Sequence, residues 1–144
     1  MFADVAEQIE TGWCIGGGCT VHLPSDRLPV KLLAGVWTCL SLAFRWAAGS
    51  FVFCEAAAFR QIGGFDETLY ASEEIDLSRR LKRLAWETGR EMVILTRHPL
   101  VTSPRKLHLY TDAEHLRLLA KVLFSGGRVL TDRKTCALWY DGRR

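Results

Sequence analysis

The chain has 144 residues, 49% of them hydrophobic and 24% charged, which suits one globular domain around a single core and excludes a disordered chain. A formal charge of +3, with basic residues gathered late at Arg128, Arg133, Lys134, Arg143 and Arg144, is too mild to mark a nucleic-acid protein and reads as a solvated basic surface. The five cysteines are odd in number and contain no C-x-x-C, which argues against a disulfide framework and for a reducing, cytoplasmic setting.

The opening Met-Phe-Ala-Asp-Val-Ala-Glu lacks the positive and apolar regions of an export signal, and residues 3 to 11 read as a short helix. "GWCIGGGCTVHL" (12 to 23) reads as an extended segment whose β-branched and apolar residues alternate with glycines. Neither G-x-G-x-x-G nor G-x-x-x-x-G-K-S/T can be laid on its triple glycine. Gly16 to Gly18 are therefore expected at a bulge or a close backbone approach, not at a phosphate. Cys14, Cys19 and His22 are zinc-competent, but no fourth ligand follows at finger-like spacing, and buried thiols are the preferred reading.

Pro24 and Pro29 bracket a loop, and Pro29 suits the first turn of a helix running to about Trp46. The most apolar stretch, Leu28 to Cys54, is broken by Lys31 and Arg45, leaving an uncharged run of 13 residues (32 to 44). A spanning helix needs about 20. A buried helix followed by a short strand, "GSFVFC" (49 to 54), is expected, with peripheral membrane contact as the lesser reading.

"EAAAFRQIGG" reads as a two-turn helix ended by Gly63, and "FDETLYA" as a loop. From Ser72 the helix signals are dense: Ser72 as N-cap, Glu73, Glu74 and Asp76 against the positive end of the dipole, and Leu77, Leu81, Leu84 and Ala85 along one face. Gly89 stops that helix. Trp37 and Trp86, at helical spacing, are expected in the core. "EMVILT" (91 to 96) is a strand, "RHPLVTSPRK" a proline-punctuated loop, and Asp112 caps a helix through about Phe124 that ends at Gly126 and Gly127. Strands alternate with helices, so the fold class is α/β, one domain over residues 1 to 144, with a largely parallel sheet buried beneath helices.

An acidic first turn has a purely structural explanation, since each carboxylate there contributes about 0.3–1 kcal/mol. Glu74 and Asp76 form an acid-x-acid pair, but residues i and i+2 of a helix do not face each other and so do not grip one ion.

"GSFVFCEAAAFRQIGGFDETLYASEEIDLSRRLKR" nevertheless resembles the second half of the catalytic domain in family 2 glycosyltransferases of the GT-A fold. There a small-residue loop and strand precede a helix ending in I/V-G-G-F-D-E, and an acidic x-E-D motif opens the next helix. The likeness is densest over residues 48 to 85 and continues more loosely through "TSPRK" (102 to 106) and back to about residue 5. It implies a partial GT-A fold, a truncated sheet with flanking helices.

The resemblance also implies an inverting sugar transfer. Glu74 occupies the position of the base that takes the acceptor's proton, and Glu73 that of the acid before it. The family prefers aspartate there; glutamate keeps the carboxylate and adds a methylene. A carboxylate near pKa 4.3 is a weak base unless burial or a charged neighbour raises it, as adjacent carboxylates can. Gly49 and Ser50 match the loop that approaches acceptor and donor, where a missing Cβ lets the backbone come close. His98, just past the expected strand, matches a metal-holding histidine, although a lone histidine beside proline is more often a loop residue. Arg105 and Lys106 are candidate diphosphate contacts or simply solvated cations, and Trp46, beside Gly49, is the tryptophan placed to stack on a sugar.

The family's D-x-D motif, which holds Mn²⁺ or Mg²⁺ on the nucleoside-diphosphate sugar, has no counterpart, because no aspartate here lies two residues from another. The donor half is therefore expected to be missing, as in a gene fragment or a mis-started reading frame. The isolated chain is expected to hold no divalent metal, bind no donor and turn over little. A sheet without its first strands has unpaired edges, so a homo-oligomer or another recruited chain is expected. The competing reading is a non-catalytic interaction module. It would use that edge and the basic C-terminal segment to bind a protein, an anionic lipid surface or RNA. A cytoplasmic location, free or at the inner face of the membrane, suits both.

Overall fold

The computed structural model describes residues 1–47, 51–66 and 73–103, together with 111, 113, 114, 117 and 120. Its elements run α1 (Phe2–Glu10), β1 (Cys14–His22), α2 (Leu28–Phe44), β2 (Val52–Cys54), α3 (Ala56–Gln61), α4 (Glu73–Glu87) and β3 (Glu91–Val101). Among the described residues the sheet has three strands in the order β2-β1-β3. β1 is parallel to β3 but antiparallel to β2, so the fold is mixed α/β and the expectation of a parallel sheet is corrected.

β1 is the central strand and is buried without a break from Cys14 to Thr20. Its glycines explain how the neighbours come so near. A Cβ on Gly16 would lie 2.6 Å from the Cys54 Cβ, one on Gly18 would lie 2.7 Å from the Ala47 Cβ, and one on Gly17 would overlap the Val93 carbonyl oxygen. The register also slips between Cys14 and Gly16, so the glycine run combines the expected close approach with an irregular ladder.

α2 opens with Pro29 in its first turn and closes at Arg45, whose φ of 53° is left-handed and turns the chain out of the helix. The Ser41 hydroxyl donates to the Trp46 carbonyl at 2.6 Å, and the Trp46 N–H donates back to the Ser41 carbonyl at 3.1 Å. α3 ends at Gly63 and Gly64, with φ of 82° and 71°, values that glycine adopts at little cost.

α4 buries Ile75, Leu77, Ser78, Leu81, Leu84 and Ala85, as the helical period requires. Leu77, Leu81 and Leu84 join Ile15, Ala47, Ala58 and Met92 in the main core, each leucine worth about 1.5–3 kcal/mol of burial. Trp86 is a correction. It is 84% exposed, because it sits on the opposite side of α4 from Leu77 and Leu81. Gly89, at φ 66°, ends the turn, and the Arg90 N–H closes it onto the Ala85 carbonyl at 2.7 Å.

β3 runs to Val101, beyond the expected end at residue 96, so the segment read as a loop from Arg97 is strand through Val101. Its pairing jumps from Cys19–Leu95 to Val21–Leu100. Pro99 falls inside that irregularity, where no ladder donor is required of it. Farther on, Thr111 and Glu114 form a reciprocal cap: the Thr111 N–H donates to Glu114 Oε2 at 2.7 Å and the Glu114 N–H to Thr111 Oγ1 at 3.4 Å. The cap expected at Asp112, like Ser72 and the helix end at Phe124, lies outside the described residues.

Cys14, Cys19, Cys39 and Cys54 are free thiols. Among the described residues no helix is long and apolar enough to cross a membrane.

Candidate functional site

The first turn of α4 carries Glu73, Glu74 and Asp76, and both glutamates are half-buried. Asp76 is turned toward its own helix, where Arg80 Nε donates to Oδ2 at 2.7 Å. Arg80 Nη1 donates to the Ile62 carbonyl at 2.6 Å, which ties α4 to the end of α3 just before the two glycines. The remaining nitrogen, Nη2, is buried and has no partner among the described residues.

Ser78 joins the acidic turn to the rest of the fold. Its hydroxyl donates to the Glu74 carbonyl at 2.6 Å and accepts from the Ala47 N–H at 3.0 Å. Ala47 is fully buried between β1, at Gly18, and α4. The backbone leading toward Gly49 is therefore fastened to the turn that bears Glu74. Sequence reasoning passed over Ser78, yet the signal was present: a hydroxyl between Leu77 and Leu81 on an apolar helix face needs a partner.

Glu55 and Arg90 make a second junction that the sequence reading missed. Both Arg90 terminal nitrogens donate to the Glu55 carboxylate, Nη1 to Oε2 at 2.8 Å. Nη2 also donates to the Cys14 carbonyl at 3.0 Å and Nε to the Gly12 carbonyl at 3.1 Å. One guanidinium thus joins the starts of β1, α3 and β3, and its hydrogen bonds hold the Glu55 carboxyl below its ordinary value against the opposing effect of burial.

Of the other predicted residues, His98 and Trp46 are described. His98 lies within β3, not beyond it, and its Nδ1 is 2.7 Å from Asp4 Oδ2. Asp4 is buried at the start of α1, with Arg97 at 3.3 Å and the N-terminal ammonium at 3.5 Å. The bond to His98 is the main cause that lowers the Asp4 carboxyl, with burial opposing it. His98 thus fastens α1 to β3.

Among the described residues, no three His, Cys, Asp or Glu side chains converge to hold a metal ion. The Cys14 thiol faces the Gly16 carbonyl at 3.5 Å, whereas Cys19 Sγ lies 4.0 Å from Met1 Sδ. Burial pushes the Cys14, Cys19 and Cys54 thiols up.

Trp46 is only 6% exposed. It packs with Ile75, Leu33, Trp37 and Leu40, stacks on Phe44 at 4.9 Å, and has the Arg79 guanidinium 5.2 Å from its ring centre. In this arrangement it is a packing residue of that cluster. Gly49, Ser50, Arg105 and Lys106 lie outside the described residues.

A cavity of about 640 Å³ opens at the C-terminal end of β1, lined by residues that include His22, Asp26, Lys31 and Thr38. None of its described lining residues belongs to the predicted site. No family model matches this chain, and neither a curated protein nor a solved structure matches it.

Proposed function

We propose that the chain is the acceptor-side, base-bearing portion of a family 2-like glycosyltransferase of the GT-A type. In the intact enzyme an acceptor hydroxyl attacks the anomeric carbon of a nucleoside-diphosphate sugar. The new C–O bond forms as the bond to the diphosphate breaks, the diphosphate leaves with that electron pair, and Glu74 takes the hydroxyl proton.

The resemblance over residues 48 to 85 supplies the assignment. The observation that carries it is the Ser78 hydroxyl, which links Ala47, two residues before Gly49, to the turn of Glu74. The described residues do not assemble a divalent-ion site, and His98 is engaged with Asp4, so no step is assigned to a metal.

An in-frame strand–loop–strand with D-x-D in the coding sequence immediately upstream would support this reading, and an unrelated gene or a stop there would favour the interaction module. In the protein that includes it, Glu74→Gln should abolish transfer from UDP- and GDP-sugars while leaving the melting temperature unchanged, because the amide keeps the shape and removes the base. Near-normal turnover of that variant would retire Glu74. The 144-residue chain alone should give no heat on calorimetric titration with UDP- or GDP-sugars and Mn²⁺. Micromolar binding by the chain alone would overturn the division into donor and acceptor portions.

A further inference from the structure

A surface helix of a folded domain ordinarily turns its apolar residues inward and its charge outward. α2 is apolar on both sides. Its inner side holds Val30, Leu33, Trp37 and Leu40. Its outer side presents Leu28, Leu32, Gly35, Cys39 and Leu42, all exposed. These five follow the spacing i, i+4, i+7, i+11, i+14, which aligns them in one stripe about 21 Å long.

The charges around the stripe have one predominant sign. α2 contains no acidic residue, and its single charge, Lys31, stands at the edge of the stripe with its side chain more than half exposed. At the far end Arg45 follows the helix, Lys82 Nζ donates to the Phe44 carbonyl at 3.0 Å, and Arg79 lies over Trp46. The carboxylates paired with these cations are Asp26, 3.9 Å from Lys31, and Glu91, 3.0 Å from Arg45.

An anionic headgroup layer would be met favourably at the far end, where Arg45, Lys82 and Arg79 outnumber Glu91. We propose that α2 is a membrane-surface helix, lying in the plane of an anionic bilayer with Leu28, Leu32, Cys39 and Leu42 at the acyl boundary and Lys31, Arg45 and Lys82 on lipid phosphates. This rests on α2 and the charges around it and stands whether or not Glu74 is a base.

The test is co-sedimentation of the 144-residue chain with vesicles of phosphatidylcholine alone and of phosphatidylcholine mixed with phosphatidylglycerol. The chain should bind the mixed vesicles and not the zwitterionic ones. Leu32→Glu with Leu42→Glu should abolish binding, with circular dichroism confirming the fold. Lys31→Glu, at an exposed side chain that the fold does not need, should weaken binding at least roughly fivefold, the effect of one cation near an anionic surface. Trp86→Glu, an apolar exposed residue elsewhere, should leave binding unchanged. Absent binding to mixed vesicles, equal binding to both, or full binding by Lys31→Glu overturns the proposal. So does a dimer that the double substitution disperses in a chain that ignores lipid.

Discussion

Gly17→Ala asks whether β1 has room for a single methyl group. The added Cβ would overlap the Val93 carbonyl oxygen, stand 2.9 Å from the Val93 carbonyl carbon and 3.1 Å from Phe53 Cζ. Gly17 pairs with Phe53 on one side and Val93 on the other, so the strand cannot escape sideways without opening a ladder. Overpacking of about 1–3 kcal/mol, together with about 0.5–1.5 kcal/mol for one displaced ladder bond, gives a cost of about 1.5–4.5 kcal/mol. That is a large share of the roughly 5–15 kcal/mol that holds a domain folded. Gly35→Ala is the matched control: nothing lies within 4 Å of its Cβ, and the helix should gain about 0.5–1 kcal/mol. Urea unfolding followed by circular dichroism and tryptophan fluorescence measures both, and placing Gly17→Ala in the Gly35→Ala background keeps it measurable if the parent is marginal. A Gly17→Ala chain within about 0.5 kcal/mol of the parent would refute the close approach of β1 and β3.

Ser78→Ala should cost about 1–3 kcal/mol in the same urea assay, because it leaves the buried Ala47 N–H unpaired; an unchanged midpoint would deny the bridge. Glu55 titrates below its usual value of 4.5, so its stabilisation is complete above that pH and is lost as pH falls through the depressed folded value. Glu55→Gln should therefore flatten the acid limb of melting temperature against pH, and parallel curves for variant and parent would contradict this. Among the described cysteines, Cys39 is exposed and should alkylate first in the native chain, while Cys14, Cys19 and Cys54 wait for denaturant; equal rates by peptide mass spectrometry would count against the burial described.

Local signals carried most of the element assignments. Pro29, Gly63 and Gly89 mark a helix start and two helix ends through backbone preferences that need no tertiary partner. The leucine period of α4 was equally direct. Trp86 was misread because its size was weighed above its place in that same period, one residue past Ala85 and across the helix from Leu81. The direction of β2 is another matter, since three residues of strand look alike read either way and α2 decides how the chain returns. Pro99 suggested a loop because a proline lacks an N–H, and only the pairing irregularity of β3 shows where that lack is tolerated. At the site, the acids of α4 were visible as residue types, whereas Ser78 and the Asp4–His98 contact join segments 31 and 94 residues apart, which no local pattern encodes.

The Ser78 junction also determines how the chain can breathe. The Ser78 oxygen gives one hydrogen bond to its own helix and takes one from Ala47, so a slide of α4 either drags Ala47 along or strands its amide among hydrocarbon. Deuterium uptake at Ala47 would then keep time with the opening of a helix far along the chain, and not with the fraying of its own neighbours.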